Sequence, residues 1–141
     1  CLVGSEMCIR DSTTDVIVGY PTETEEAFLR SMEFCREVAF SDMHVFPYSS
    51  RKGTAAGKLP VLPSAEVTDR QKRMSALKVE LSSAYLLAQL GKPAEVLFET
   101  KEDGMWCGHT PNYVKVYSTY GAHNTIAEVV PTALCRDGVR V

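Results

Sequence analysis

No two cysteines in this chain of 141 residues stand close enough to form a metal or redox motif. The five, Cys1, Cys8, Cys35, Cys107 and Cys135, are odd in number and widely spaced. That spacing excludes a zinc ribbon, a CxxC centre and the disulfide framework of a small secreted domain. It fits reduced, mostly buried thiols in the cytoplasm. Long apolar runs are missing too: nothing approaches the roughly 20 residues that cross a bilayer, so no membrane partner is implied. No charged-then-apolar leader with a small-residue cleavage site occurs. Positive charge is scarce, since 15 Lys and Arg against 18 Asp and Glu leave a formal net charge of −3. That excludes a generally basic nucleic-acid coat, and no DNA partner is expected, but a local basic patch stays open. What is there, 45% hydrophobic and 23% charged residues, is the composition of a soluble globular protein of one ordinary domain or two small ones.

An initiator methionine is also absent. The chain opens CLVGSEMCIRDS, which follows neither helical nor strand periodicity. The whole segment resembles the translated read-through of a sequencing adapter. On that reading residues 1–12 are not native, Cys1 and Cys8 leave the inventory with them, and the protein is expected to continue upstream.

From Thr14 to Gly19 the sequence TDVIVG is a short β-branched run ending in glycine, the pattern of a buried parallel strand. Thr22 and Glu25 have the spacing of a capping box. The helix expected after them carries Phe28, Met32, Cys35 and Ala39 on one face, at spacings of four, three and four. Asp42 to Phe46 reads as a second strand. Strand, helix and strand within about 30 residues make a βαβ unit with a parallel sheet. Pro47 to Gly57 is a polar loop, and the prolines extend Leu59 to Pro63. A long helix is expected from Ser64 to Leu90, with Val67, Met74, Leu77, Leu81, Tyr85 and Ala88 as its apolar stripe, ended by Gly91 and Pro93.

Beyond Gly91 the pattern turns to short β-rich runs: Glu95–Thr100, Met105–Gly108, Tyr113–Ser118, Ile126–Val130 and Gly138–Val141. Turn signals separate them at Asp103-Gly104, Thr110-Pro111-Asn112, Gly121 and Asp137-Gly138. Five short strands suggest a small barrel of the oligonucleotide-binding type. The expected organisation is a segment 1–12, an α/β portion 13–90 and an all-β domain 91–141.

Three ordered stretches resemble one family, the radical S-adenosylmethionine methylthiotransferases. DVIVGYPTETEEAF resembles the penultimate strand-to-helix junction of their partial (β/α) barrel, and FSDMHVFPYSSRKGTAA its last strand and following loop. VLFET with GMWCGHTPNYVKVY resembles the appended TRAM domain, a small five-stranded OB-like RNA-binding barrel. The resemblance covers nearly everything from Thr13 onward. HVFPYSSRKGT and GHTPNYVKV are most similar to the enzymes acting on threonylcarbamoyladenosine in tRNA. Sister groups act on isopentenyladenosine in tRNA or on a ribosomal-protein aspartate. LPVLP departs from the family pattern, which usually has glycine and glutamine between the prolines.

The resemblance implies methylthiolation of carbon 2 of an adenosine in the anticodon region of tRNA. It also implies S-adenosyl-L-methionine and two iron-sulfur clusters in the full-length enzyme, one held by a CxxxCxxC motif. Such clusters need closely spaced thiolates, which Cys35, Cys107 and Cys135 cannot supply. The ligands are therefore expected upstream, no catalytic or metal-binding residue is expected here, and the fragment alone is expected to be inactive.

Candidate cofactor-binding residues are Gly19, Thr22, Thr24, Tyr48, Ser49 and Arg51, which follow the two strands at the end where parallel α/β barrels bind ligands. Gly19 would allow close backbone approach, and free N–H groups at the helix start would meet a carboxylate or ribose oxygen. The alternative is that Thr22 and Glu25 simply cap a helix. Tyr48 suits adenine stacking and Arg51 a carboxylate or phosphate, or else Arg51 is a solvated loop residue. The candidate RNA contacts are His109, Tyr113 and Lys115, combining rings for bases with a cation for phosphate. Alternation places Tyr113, Lys115 and Tyr117 on one strand face, which in a small barrel is either core or surface. Asn112 is either a turn residue or a ligand. A reading of another class, a stand-alone RNA-binding OB-like module, leaves the βαβ remnant and long helix without a purpose.

Overall fold

The computed structural model describes residues 12–141. The segment read as adapter-derived, with Cys1 and Cys8, lies outside the described residues except for Ser12. Among the described residues the chain is mixed α/β with two long helices, and it forms two compact units divided between Ser83 and Ala84.

In the first unit β1 (Thr13–Val18) and β2 (Asp42–Pro47) pair in parallel, from Thr13↔Asp42 to Val18↔Pro47. Between them runs α1 (Glu25–Val38), so the expected βαβ unit is present. Phe28, Met32 and Cys35 are its buried residues, as their spacing predicts. Ala39 does not join them. It is the helix C-cap in the left-handed region (φ 54, ψ 55), and its N–H donates to the Cys35 carbonyl at 3.1 Å.

The helix start also differs from the expected capping box. Pro21 and Thr22 are the middle of a tight turn in which the Glu23 N–H donates to the Tyr20 carbonyl at 2.8 Å. Proline followed by a residue at φ 79 is the type II pattern, so the turn takes Thr22 out of reach of the helix. Thr24 is the cap, and its Oγ1 accepts from the Ala27 N–H at 3.1 Å.

Helix α2 (Ser64–Leu87) ends three residues before the expected Leu90. Met74 and Leu77 are buried as the stripe requires, Ala88 is exposed, and Arg70 is buried on the same face. The first core gathers Val18, Phe28, Met32, Cys35, Met43, Met74 and Leu77, with Val16, Phe40, Val45 and Leu81 against it. Each such side chain contributes roughly 1.5–3 kcal/mol by leaving water.

The second unit is a six-stranded, mostly antiparallel sheet in the order β6-β3-β4-β5-β8-β7. Its strands are β3 (Ala94–Glu102), β4 (Met105–His109), β5 (Lys115–Ser118), β6 (Thr125–Val129), β7 (Ala133–Cys135) and β8 (Gly138–Arg140). Only β5 and β8 pair in parallel. Asp103 and Gly104, at φ 48 and 84, make the two-residue hairpin turn their sequence signals. β7 is a sixth strand where five were expected, since three residues carry no readable alternation. Among the described residues no pairing joins β6 to β7, so these pairings do not close a barrel. Val96, Phe98, Val114, Val116 and Val139 form the core, covered by Tyr85, Leu86, Leu90, Trp106, Ala127 and Val129.

Candidate functional sites at the strand ends and on the second sheet

The C-terminal ends of β1 and β2 open onto a groove of about 510 Å³. Ile17, Phe46, Tyr48, Ser49 and Arg51 line it. Ile17 and Phe46 are large apolar side chains left half in solvent. Arg51 and Ser49 are exposed at its rim, and no carboxylate among the described residues pairs with Arg51. Tyr48 is half-buried and stands edge-on to Tyr20, ring centroids 5.4 Å apart. An apolar floor with one free cation at the mouth can take a flat aromatic group and an attached anionic end.

The structure therefore brings Tyr48, Ser49 and Arg51 together, but gives Gly19, Thr22 and Thr24 local work. Gly19 has φ 76, and a Cβ there would lie 2.8 Å from a Val67 methyl, so the close approach it permits is to α2. Its N–H donates to Glu23 Oε2 at 2.8 Å. Thr22 is exposed in the turn and Thr24 caps α1. The first turn of α1 carries Glu25 and Glu26, so an anionic ligand would meet like charge there.

Arg70 is the residue that sequence reasoning missed. It is 1% exposed, and its Nη1 donates to the Glu23 carbonyl at 2.9 Å and to Glu23 Oε2 at 2.7 Å. Nη2 bonds Glu66, and Nε stands 3.7 Å from Glu25 Oε2, too far for a hydrogen bond. Arg73 bonds Glu25 at 2.7 Å, and both guanidinium groups lie over the Phe28 ring. Arg70 thus fixes the loop that begins at the end of β1. Its signal was available: position 70 falls three after Val67 and four before Met74, on the apolar stripe, where an arginine must find carboxylates.

On the second sheet the residues Ile126, Leu97, His109 and Lys115 stand side by side in register across β6, β3, β4 and β5. Leu97, His109, Tyr113, Pro111 and Ile126 line a groove of about 460 Å³ with Glu95 and Glu99. Tyr113 is not in a strand. It occupies a turn at φ 61 and is 87% exposed, because the strand begins only at Lys115, so the expected face of Tyr113, Lys115 and Tyr117 keeps only its last two members. Asn112 is a turn residue: Thr110 Oγ1 bonds its carbonyl and its amide donates to the Tyr85 hydroxyl at 2.8 Å.

Lys115 is not a free cation. It pairs with Glu102 at 3.1 Å and Asp137 at 3.5 Å and lies over the Tyr117 ring. Tyr117 and Glu102 together push its pKa above the ordinary 10.5. Burial and the bond to Asp137 raise the Tyr117 phenol, and that bond holds Asp137 below 3.8. His109 is exposed, with Nδ1 3.8 Å from Glu99 Oε2.

Cys35, Cys107 and Cys135 are free thiols, the first two buried, and burial pushes both of those up. Among the described residues no three histidine, cysteine or carboxylate side chains converge as a metal site requires. These residues do not fit an iron-sulfur cluster. No helix among the described residues is long and apolar enough to cross a membrane.

No protein-family profile matches the chain. Its homologues are tRNA methylthiotransferases. It is 37% identical over 132 residues, 89% of the chain, to the threonylcarbamoyladenosine tRNA methylthiotransferase MtaB of Bacillus subtilis. It is 35% identical over 127 residues, 86% of the chain, to a tRNA-2-methylthio-N(6)-dimethylallyladenosine synthase of Chloroflexus aurantiacus. The synthase of that name from Mycobacteroides abscessus is 45% identical over 91 residues, 64% of the chain. The aligned regions are 29%, 27% and 18% of those proteins, so the chain spans less than a third of the relatives it matches.

Proposed function

We propose that the chain is part of a radical S-adenosylmethionine tRNA methylthiotransferase of the cytoplasm, comprising the end of its catalytic barrel (13–90) and a TRAM-type RNA-binding domain (91–141). The observation that carries this is the groove at the ends of two parallel strands, in a chain that aligns over 89% of its length with a threonylcarbamoyladenosine tRNA methylthiotransferase. The whole enzyme converts carbon 2 of N6-threonylcarbamoyladenosine, in the anticodon region of tRNA, to its methylthio form. The iron-sulfur clusters are held by cysteines upstream. When bound, S-adenosyl-L-methionine supplies the radical and the methyl group.

The residues of this chain bind and orient. Tyr48 packs against the adenine, Ile17 and Phe46 exclude water from its face, and Arg51 and Ser49 hold the polar end. Gly19, Thr22 and Thr24 support them by shaping the loop after β1. In the second unit His109 and Tyr113 meet the RNA through its bases, and Lys115 stiffens the strand beside them.

Joining the chain to its upstream coding sequence tests this. An in-frame CxxxCxxC motif is expected, and nucleosides from tRNA of cells making the protein should contain the 2-methylthio threonylcarbamoyl derivative by mass spectrometry. Arg51→Ala should reduce that product. A methylthio dimethylallyl product would move the assignment to the substrate named for the Chloroflexus and Mycobacteroides relatives. A start codon just before Thr13, or no methylthio nucleoside at all, would remove the enzyme reading and leave the stand-alone RNA-binding module.

A further inference from the structure

The groove on the second sheet has a charge that a phosphate-binding surface should not have. Glu95 and Glu99 stand either side of Leu97 on its wall. Glu128 is directly opposite Glu95 in the antiparallel register. Like charges facing across a ladder are destabilising, and no lysine or arginine lines this groove. The nearest cation in register, Lys115, is already committed to Glu102 and Asp137.

The apolar part of the groove is built as a platform. Tyr113 is held at φ 61, a conformation costly for a residue with a side chain. The turn fixes it there: the Tyr113 N–H donates to the Thr110 carbonyl at 2.9 Å, and the Val114 N–H to Thr110 Oγ1 at 3.0 Å. Asn112 ties the same turn to Tyr85. The ring is thereby directed outward while Ile126, 66% exposed, lies in register beside Leu97. An exposed ring on a fixed turn, beside two aliphatic side chains, suits one face of a nucleobase.

We propose that this groove takes a single unstacked RNA base and selects one whose edge presents an amino group. The inference deepens the RNA reading given above and rests on it. Carboxylates only accept hydrogen bonds, so Glu95 and Glu99 favour the exocyclic amine of cytosine, adenine or guanine. Uracil carries a carbonyl oxygen at position 4, where cytosine carries the amine, and the carboxylates repel it; its N3–H is the one donor it can offer them. The phosphates stay outside, and the backbone must be held elsewhere on the molecule.

Cytosine and uracil have the same size and differ at that edge, so short oligocytidylate and oligouridylate make a clean pair of probes. The complete chain should bind oligocytidylate about tenfold more tightly, with the same salt dependence for both. The Glu95→Gln/Glu99→Gln double variant, exposed on the surface, should bring the two affinities together, because an amide can donate to a uracil carbonyl. Tyr113→Ala should weaken both by about tenfold. Equal affinities that the double variant leaves unchanged would overturn the selection and leave RNA binding standing. Binding of neither oligonucleotide would overturn both readings. If oligolysine bound instead, the groove would belong to a basic protein segment.

Discussion

The Arg70 guanidinium holds Glu23, 47 residues earlier in the chain, by two hydrogen bonds, at 2.9 Å to its carbonyl and 2.7 Å to its carboxylate. Glu23 in turn accepts from the Gly19 N–H at 2.8 Å. The bend at the end of β1 is therefore maintained from α2. Replacing Arg70 by methionine keeps the volume but strands a mostly buried carboxylate. The expected loss is about 3–5 kcal/mol of stability in the first unit. Arg70→Lys should recover little, since the guanidinium reaches Glu23 and Glu66 from two separate nitrogens of a planar fork and an ammonium is a single point. Urea unfolding followed by circular dichroism measures both, and a loss below about 1 kcal/mol for the methionine variant would refute the clamp.

Gly19 and Val67 form a second contact between the same bend and the same helix. A Cβ at Gly19 would lie 2.8 Å from Val67, on a backbone at φ 76. Gly19→Ala should cost about 2–4 kcal/mol, the sum of left-handed strain and overlap. In a Val67→Ala background the two methyl overlaps disappear, leaving the strain and a Cβ contact at 3.2 Å, so the cost should fall. A double-mutant cycle that shows simple additivity would mean the two residues do not meet.

Thr22 and Thr24 separate turn from cap. Thr24→Ala removes the acceptor for the Ala27 N–H and should cost about 1 kcal/mol. Thr22→Gly should stabilise the chain by up to about 1 kcal/mol, since glycine adopts φ 79 without a steric cost. If Thr22→Ala destabilised more than Thr24→Ala, the capping box predicted from spacing would be restored.

The Tyr117 cluster gives the second unit its pH dependence. Asp137 is held below its ordinary 3.8, chiefly by the bond from Tyr117. A depressed carboxylate stabilises the fold above 3.8 and loses that contribution as pH falls through its lower folded value. Lys115 is held above its ordinary 10.5, chiefly by Tyr117 and Glu102. A raised ammonium contributes fully below 10.5 and loses it as pH rises through its higher folded value. The cluster's contribution is therefore level through neutrality and falls at both extremes. Asp137→Asn should flatten the acid limb and weaken the alkaline one, read from urea midpoints in acid, at neutrality and in alkali. An unchanged acid limb would show that Asp137 is not coupled to folding.

The sequence by itself determined the local elements whose periodicity is long enough to read. The parallel pair β1 and β2, the buried face of α1 at Phe28, Met32 and Cys35, and the Asp103-Gly104 hairpin all follow from neighbours in the chain. It also placed Tyr48, Ser49 and Arg51 beyond a strand end, because the C-terminal end of a parallel strand is fixed by its direction. Only the tertiary structure decided what each polar group bonds. Thr22 lost the cap to Thr24 because Pro21 opened a turn, and three residues of β7 became a strand by pairing with β8. Periodicity sets Arg70 on a buried stripe, but only the fold shows which distant carboxylate holds it and which carboxylates neutralise Lys115. Whether a charge is free or spent depends on partners separated along the chain, and periodicity carries no information about them.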